Sequence, residues 1–573
     1  MRSLLILVFL SLSLVAKEPL KKVIFVGNHK LTQKFLEENL NIVVEKSWYE
    51  FYKDATPKIN KNIIKPLTNS LITLYKSQGF YKVRVDVVQS DTNITFNIQE
   101  NNPLLVSDIN SSLANEYKKL QTFKIGDRFI VDKFLNIRKS LRKKLSNDGY
   151  CNADLRTKAY IDLKKYSCKL LYKVVKNKKC KFGKTTIQTS KDIPQKVILS
   201  RLYFRRGDDY SSKKILKSYE TILGLDVFDI INIKQKNHGD RIDINIKTNK
   251  KQTMIKRLVG VGYETKYGPK IMFGWEQRNF KGGARKLSFK TKYSKKEQYF
   301  KNTFFFPAFI KEPIWGRYID FKNDFIISKT SYEKFDEKKI SDRLHFLKDI
   351  EFISMDAGVS FEKIKIYKKD KSACNIKDGF YTLLSPYIKA IIDSRDSKID
   401  AKNGIYLSGY FESGLTYLAS STSYSKLILE GRAIKTLAGF TIAGKAKTGF
   451  IKEFQKSLPE SKLFFAGGAF SNRAYGYNVL GAFDSGCSDM GAKTLVDNSL
   501  EISHHLWKKL SWALFWDATM LSIKEQDFSL DFIHSYGFGL RYNTAIGPVK
   551  LDYGVNSKDI SIYTIHFQIG QSF

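Results

Sequence analysis

"IYTIHFQIGQSF", Ile562–Phe573, closes the chain and alternates almost without error. Tyr563, Ile565, Phe567, Ile569 and Phe573 fall on one parity, and Thr564, His566, Gln568, Gly570 and Ser572 on the other. Alternation over this length describes a strand with one apolar and one polar face. The last residues of a soluble domain ordinarily fray, so a final strand ending on an aromatic calls for a partner. The same pattern extends backwards. In "VKLDYGV" Val549, Leu551, Tyr553 and Val555 oppose Lys550, Asp552 and Gly554. In "SYGFGLRYN" Tyr536, Phe538, Leu540 and Tyr542 oppose Ser535, Gly537, Gly539, Arg541 and Asn543.

From about Arg257 helical periodicity is lost, beginning with "LVGVGYET", where Val259, Val261 and Tyr263 share a face. A soluble sandwich hides its apolar face in a core. Here roughly 320 residues keep one apolar face with no helices to cover it, while the other face carries Arg, Lys, Asp, Glu and His. A closed barrel in lipid, apolar outside and wet inside, fits that pattern. The strand count predicts sixteen antiparallel strands over residues 253–573. Tight turns at 281–284, 396–404 and 546–548 belong at the end where the chain enters, and the long polar segments 369–379 and 453–494 at the other. A barrel has no edges because its last strand pairs with its first, and Phe573 then anchors that seam at an interface.

Composition narrows the class. A chain of 573 residues holds several domains. The formal charge of +40 comes from lysines scattered through every region, which argues against nucleic acid as a partner and leaves anionic lipid headgroups as one. Arg2, the apolar run Leu4 to Val15 and Ala16 form a secretory signal, residues 1–16, rather than a span. No stretch approaches 18 consecutive apolar residues, so no transmembrane helix is expected. Seven histidines and five cysteines show no metal-ligand spacing, and no nucleotide-binding loop is present. The glycines of "GVGYETKYG" alternate along a strand with no helix behind them. The expectation is a protein without cofactor, metal or enzymatic activity.

Between the signal and the barrel one template recurs three times: a helical stretch, a glycine, then a strand. The glycines are Gly79, Gly149 and Gly224, spaced 70 and 75 residues apart. Each is placed to cap its helix with positive φ. "FKIGDRF" from Phe123 and "FRRGDDY" from Phe204 add a shared Phe-x-x-Gly-Asp-x-aromatic signature. Closing strands are expected at 93–100, 168–175 and 241–248. A tandem β-α-α-β-β unit of this size resembles the polypeptide-transport-associated (POTRA) domain, with units at 20–101, 104–178 and 180–249.

The segment "FFAGGAFSNRAYGYNVLG", from Phe464, lies in the long loop between the eleventh and twelfth barrel strands. It resembles the sixth-loop motif of the BamA/TamA outer-membrane assembly superfamily, with Gly467, Gly468, Arg473 and Tyr475 in the motif positions. The family glycine after the arginine is Ala474 here. Glu501 and Asp517 have lumen-facing parity, and the resemblance makes them acceptors for Arg473. It also implies a seam formed by the first and last strands, at Gly260, Gly262, Ile569, Gly570 and Phe573. Three POTRA units in this length resemble the TamA branch. This resemblance implies an arm in the periplasm, unfolded outer-membrane proteins as clients and an inner-membrane partner of the TamB type. It further implies nucleotide-free insertion or translocation of barrels and autotransporters, with outer-membrane lipids as surroundings. The alternative is a dedicated two-partner-type pore exporting a soluble protein through the lumen; the repeats argue against a passive porin or adhesin.

The cysteines test register. A hairpin turning near Lys164-Lys165 pairs residues whose numbers sum to about 329, which leaves Cys168 opposite Ile161 and free. Cys151 then faces a point two positions from Cys180, close enough for a bridge if the strand slips. Cys374 and Cys487 are expected in outer loops, where loop folding decides whether they pair.

Overall fold

The computed structural model describes residues 20–42, 57–264, 268–312, 318–332, 334–350, 353–369, 376, 378–398, 400–484, 487–507, 509–527, 529, 531–544 and 547–569. The expected signal segment, Gly570, Phe573 and Cys374 lie outside them. The chain divides into two compact units: one through Lys184 with 204–216 and 235–244, the other 185–203, 217–234 and 245–573.

Helix Ile64–Ser77 buries Ile64, Leu67, Leu71 and Tyr75, and helix Val131–Asn147 buries Phe134, Ile137, Leu141 and Leu145. This helical spacing gathers one apolar stripe against a sheet. The first sheet runs Lys58–Ile59, Lys21–Val26, Asn93–Gln99, Arg84–Gln89, with Lys21–Val26 parallel to Asn93–Gln99. The second runs Leu105–Ser111, Ser167–Val175, Asp154–Asp162, with the first pair again parallel. A third runs Lys181–Gln188, Arg241–Lys250, Phe228–His238.

The repeated signature is a joint. Phe129 N–H donates to Leu104 O (2.9 Å), and Leu104 N–H to Gly79 O (2.9 Å). One repeat later Tyr210 N–H donates to Cys180 O (2.9 Å), and Cys180 N–H to Gly149 O (2.9 Å). Asp127 and Asp208 each accept from a backbone N–H three residues earlier, Lys124 and Arg205, at 2.9 Å. The Lys124 amide and the Lys133 ammonium hold the Asp127 carboxyl below its ordinary range. Gly79 and Gly149 have φ of 94° and 97°, and a Cβ on Gly79 would meet Phe129 O at 2.4 Å. Gly224 departs from the pattern: Asp226 takes the positive φ (57°) instead, two residues later. Asp tolerates that region, and its carboxylate pairs with Lys251 (2.6 Å) and Arg278 (2.9 Å).

The second hairpin has the expected register, with Cys168 opposite Ile161. Cys151 and Cys180 are bonded, Cα atoms 5.9 Å apart. The bridge fastens the same joint that the Cys180 amide makes. Loop-closure entropy for its 29-residue separation amounts to roughly 3–4 kcal/mol. Reduction, or Cys151→Ser with Cys180→Ser, should therefore raise the rate of limited proteolysis near 176–180, read by mass spectrometry of the fragments. Burial pushes the Cys168 thiol up to about 11, so maleimide should label it only after unfolding.

Among the described residues from Ile255 to Ile569 sixteen strands form one antiparallel sheet in chain order, interrupted only by a short hairpin, Ala482–Asp484 with Cys487–Met490, inside the long loop. Parity follows the expected pattern along most of the wall. At the far end it inverts. Ile364 and Ile366 point inward while Lys363 and Lys365 are exposed, with no register shift in either ladder of that strand. The inward isoleucines join Phe335, Leu383, Tyr424, Ile451 and Leu495 in a buried core with loop residues Leu458, Phe464, Ala466 and Leu480. The lumen is thus apolar and packed at that end, a correction to the expectation of a wet interior. Loop side chains need an apolar surface to bury against, and the inverted parity supplies it.

Candidate functional site

The long loop folds back into the lumen. Gly467 and Gly468 have φ of 99° and 102°, and a Cβ on Gly467 would meet Gly476 O at 2.5 Å. The turn they make carries Arg473, only 1 % exposed, to the wall of the twelfth and thirteenth strands, Thr494–Trp507 and Leu510–Ser522. Its Nε and Nη2 donate to Asp517 Oδ2 and Oδ1, both at 2.9 Å, and its backbone N–H to Oδ2 at 3.0 Å. Nη1 donates to Glu501 Oε2 at 2.7 Å. The guanidinium lies 3.4 Å from the centroid of the Phe515 ring. Asp517 is thus held by one residue through three bonds, of which the two parallel guanidinium bonds are the geometry that distinguishes arginine from lysine.

Several partners escaped the sequence reading. Arg541 also donates to Glu501 (3.1 Å) and to Asp552, which lies 4.0 Å from Arg473 Nη1. A Cβ on Gly554 would sit 2.5 Å from Arg473 O, so the loop backbone presses directly on the fifteenth strand, Gly547–Asn556. Thr564 donates to Ala474 O (2.9 Å), His566 Nε2 approaches Arg473 O (3.1 Å), and Asn556 donates to the Tyr475 hydroxyl (2.6 Å). The motif therefore spans strands twelve to sixteen. Arg541, Asp552 and His566 were legible as lumen-facing by parity, but not as neighbours. Ala474 is buried and has no positive φ, so the missing glycine costs the turn nothing.

A second anchor lies across the lumen. Lys462 Nζ is 2.5 Å from Glu362 Oε2 and 3.4 Å from Glu412 Oε1, on the seventh and ninth strands, Ile353–Lys368 and Asn403–Gly414. Tyr410 and Tyr424 donate to the two oxygens of Glu412, at 2.5 and 3.2 Å. Lys426 donates to Lys462 O at 2.6 Å. Between the anchors Ser471 donates to Asp497, which pairs with Lys445.

Of the seam residues, Gly260 and Gly262 lie opposite Met272 and Lys270, and a Cβ on Gly262 would meet the Lys270 stem at 2.8 Å. Ile569 lies opposite Val549. Among the described residues no ladder joins the first and sixteenth strands.

These features define a sixteen-stranded outer-membrane barrel with an α/β arm and an inward-folded loop clamped to its wall. Residues 279–573 match the Omp85 superfamily domain, and residues 19–101 the POTRA surface antigen variable number repeat. The chain belongs to the Omp85 superfamily, in the outer membrane with its arm in the periplasm. It is 21 % identical over 453 residues to the outer membrane protein assembly factor BamA of Nitratidesulfovibrio vulgaris, covering 77 % of this chain and 55 % of that protein. The chain thus spans about half the length of this curated relative. The structure of BamA from Haemophilus ducreyi lacking POTRA domains 1–3 is similar in fold, with TM-score 0.54 and 16 % identity over 82 % of this chain and 99 % of that one. CdiB from Acinetobacter baumannii gives TM-score 0.47 and 13 % identity over 82 % of this chain and 90 % of that one.

Proposed function

We propose that the protein is an outer-membrane assembly factor of the TamA branch, inserting or translocating barrel proteins and autotransporters without nucleotide. Three POTRA repeats at 20–101, 104–178 and 180–249 form its periplasmic arm behind a cleaved signal at 1–16, with a TamB-type inner-membrane partner and unfolded barrel proteins as clients. One observation carries this reading: the outer end of the lumen is filled by a loop whose apolar and ionic side chains are both buried. A client crossing the lumen must first dismantle that packing. A client at the seam need not. Val259 and Val261 on the first strand are 70 % and 82 % exposed, and an unpaired strand edge offers its backbone groups to an incoming strand. In lipid each unsatisfied backbone group costs several kcal/mol, so a templating edge lowers the insertion barrier.

Photo-crosslinking groups at Val259 and Val261 should capture a barrel client in transit, whereas groups at the lumen-facing Lys339 and Lys447 should not. Capture concentrated at the lumen positions would replace this reading with the two-partner-type secretion pore.

A further inference from the structure

The inverted parity that turns isoleucines into the lumen leaves lysines on the outside. Across strands three to eight one continuous row of directly opposed residues reads Tyr293, Gln298, Lys329, Lys338, Lys365, Phe380. The three lysines are exposed, and so are Tyr293 (66 %) and Phe380 (65 %) at the ends of the row. One step towards the periplasm the row continues Phe300, Ile327, Ile340, Lys363. The lysine row sits within three residues of the strand ends Ser331, Phe335, Lys368 and Gly379. Those ends lie away from the arm, because the first strand leaves the arm at Ile255 and each even strand returns. The row therefore stands at the headgroup level of the outer leaflet, with apolar side chains at acyl depth below it.

Like charges directly opposite one another repel, and this face does not neutralise them. Among the described residues none of Lys329, Lys338, Lys363 and Lys365 forms an ion pair with a carboxylate. Asp336, one row further out, is taken by Lys369 (3.1 Å) and by the Ser331 hydroxyl (2.7 Å). Lys338 and Lys365 instead lie 5.1 and 4.9 Å from the centroid of the same Tyr367 ring, which holds the two ammonium groups side by side. The patch borders a concavity of about 690 Å³. The outer row of the next strands along the wall, nine to eleven, reads Ser413, Ser425, Lys452 and carries a single lysine.

We propose that this face binds the phosphate groups of an outer-leaflet lipid, whose acyl chains lie along Phe300, Ile327 and Ile340. Lysine suits a phosphate as a mobile point charge, long stems reach from lipid depth to the headgroups, and flanking aromatics are placed as at membrane interfaces. The inference uses the outer-membrane placement and the register alone, so it stands or falls separately from the client-handling role.

The test uses the full chain in phosphatidylcholine nanodiscs, titrated with bis-phosphorylated lipid A, dephosphorylated lipid A or inorganic phosphate, with bound lipid counted by native mass spectrometry. Phosphorylated lipid should bind, and Lys329→Gln/Lys338→Gln/Lys365→Gln should weaken it at least tenfold. The triple arginine variant should retain binding, and Lys118→Gln/Lys139→Gln/Lys143→Gln in the arm should match wild type. The heat-dependent gel mobility of each variant reports its folding, and the arginine variant keeps the test decisive if the glutamine variant misfolds. Equal binding by the glutamine variant and wild type overturns the proposal. So does equal binding of dephosphorylated lipid, equal competition by inorganic phosphate, or tighter capture of a polyglutamate peptide than of the lipid.

Discussion

Arg473→Ala should unclamp the loop from the last five strands, with a loss of about 3–5 kcal/mol of barrel stability. The variant deletes the guanidinium donors to Glu501 and Asp517 and leaves both carboxylates buried, Glu501 with Arg541 and Asp517 with one backbone N–H. The folded band should melt at lower temperature in a gel-mobility series, and client assembly should fall with it. Arg473→Lys should rescue only part, because an ammonium cannot bind Asp517 through two parallel N–H bonds. Arg473→Ala combined with Asp517→Asn should be less damaging than the sum of the two, since the second change removes a charge already stranded. The comparison must avoid Lys493, a loop lysine that pairs with Glu453 at 2.8 Å. Lys558, exposed in the loop before the last strand, is the better control, and Lys558→Ala should stay within about 0.5 kcal/mol of wild type. Equal losses from Arg473→Ala and Lys558→Ala would end the special role of the arginine.

The barrel was legible because its signal is local. Alternation needs only neighbouring residues, and sixteen strands with their turns follow from it. The partners of Arg473 were half legible for the same reason: parity put Glu501 and Asp517 on the lumen wall, and a loop arginine there requires acceptors. Arg541 and Asp552 face the lumen by the same parity, but joining them to the cluster needs the register of strands thirteen to fifteen. The inversion at the far end of strand seven was illegible. "FEKIKIYK", Phe361–Lys368, alternates well, and apolar residues on a barrel strand are assigned to lipid by default. Only the loop core, brought from some hundred residues later in the chain, shows why Ile364 and Ile366 turn inward. The Phe-x-x-Gly-Asp-x-aromatic signature was visible as a repeat and silent as a device, because its aromatic bonds the first residue of its own repeat, and only that residue's amide reaches the glycine of the preceding one. Gly224 misled in the opposite direction: composition placed the cap there, and the fold moved it to Asp226.

Lys462 is the residue for which sequence offered no signal, since it sits in an aperiodic loop and its partners come from two distant strands. Its removal should nevertheless rank beside that of Arg473. Lys462→Met keeps the stem and deletes the charge, leaving Glu362 and Glu412 to face one another across a buried site. Two like charges so placed repel, and the cost of breaking a buried pair is about 3–5 kcal/mol. The loop should then loosen from strands seven and nine while Arg473 still holds its other end. An external protease should cut 456–493 in the variant faster than in wild type, where Leu458, Phe464, Ala466 and Leu480 are buried. Lys462→Arg should protect the loop again. The sign of the second change separates an ionic anchor from simple packing. Adding Glu362→Gln and Glu412→Gln to Lys462→Met should raise stability above that of Lys462→Met alone, because a neutral cluster no longer strands two charges. If the triple variant is less stable than the single, or if Lys462→Met melts and resists protease as wild type does, Lys462 is not an anchor and the loop is held from one wall only.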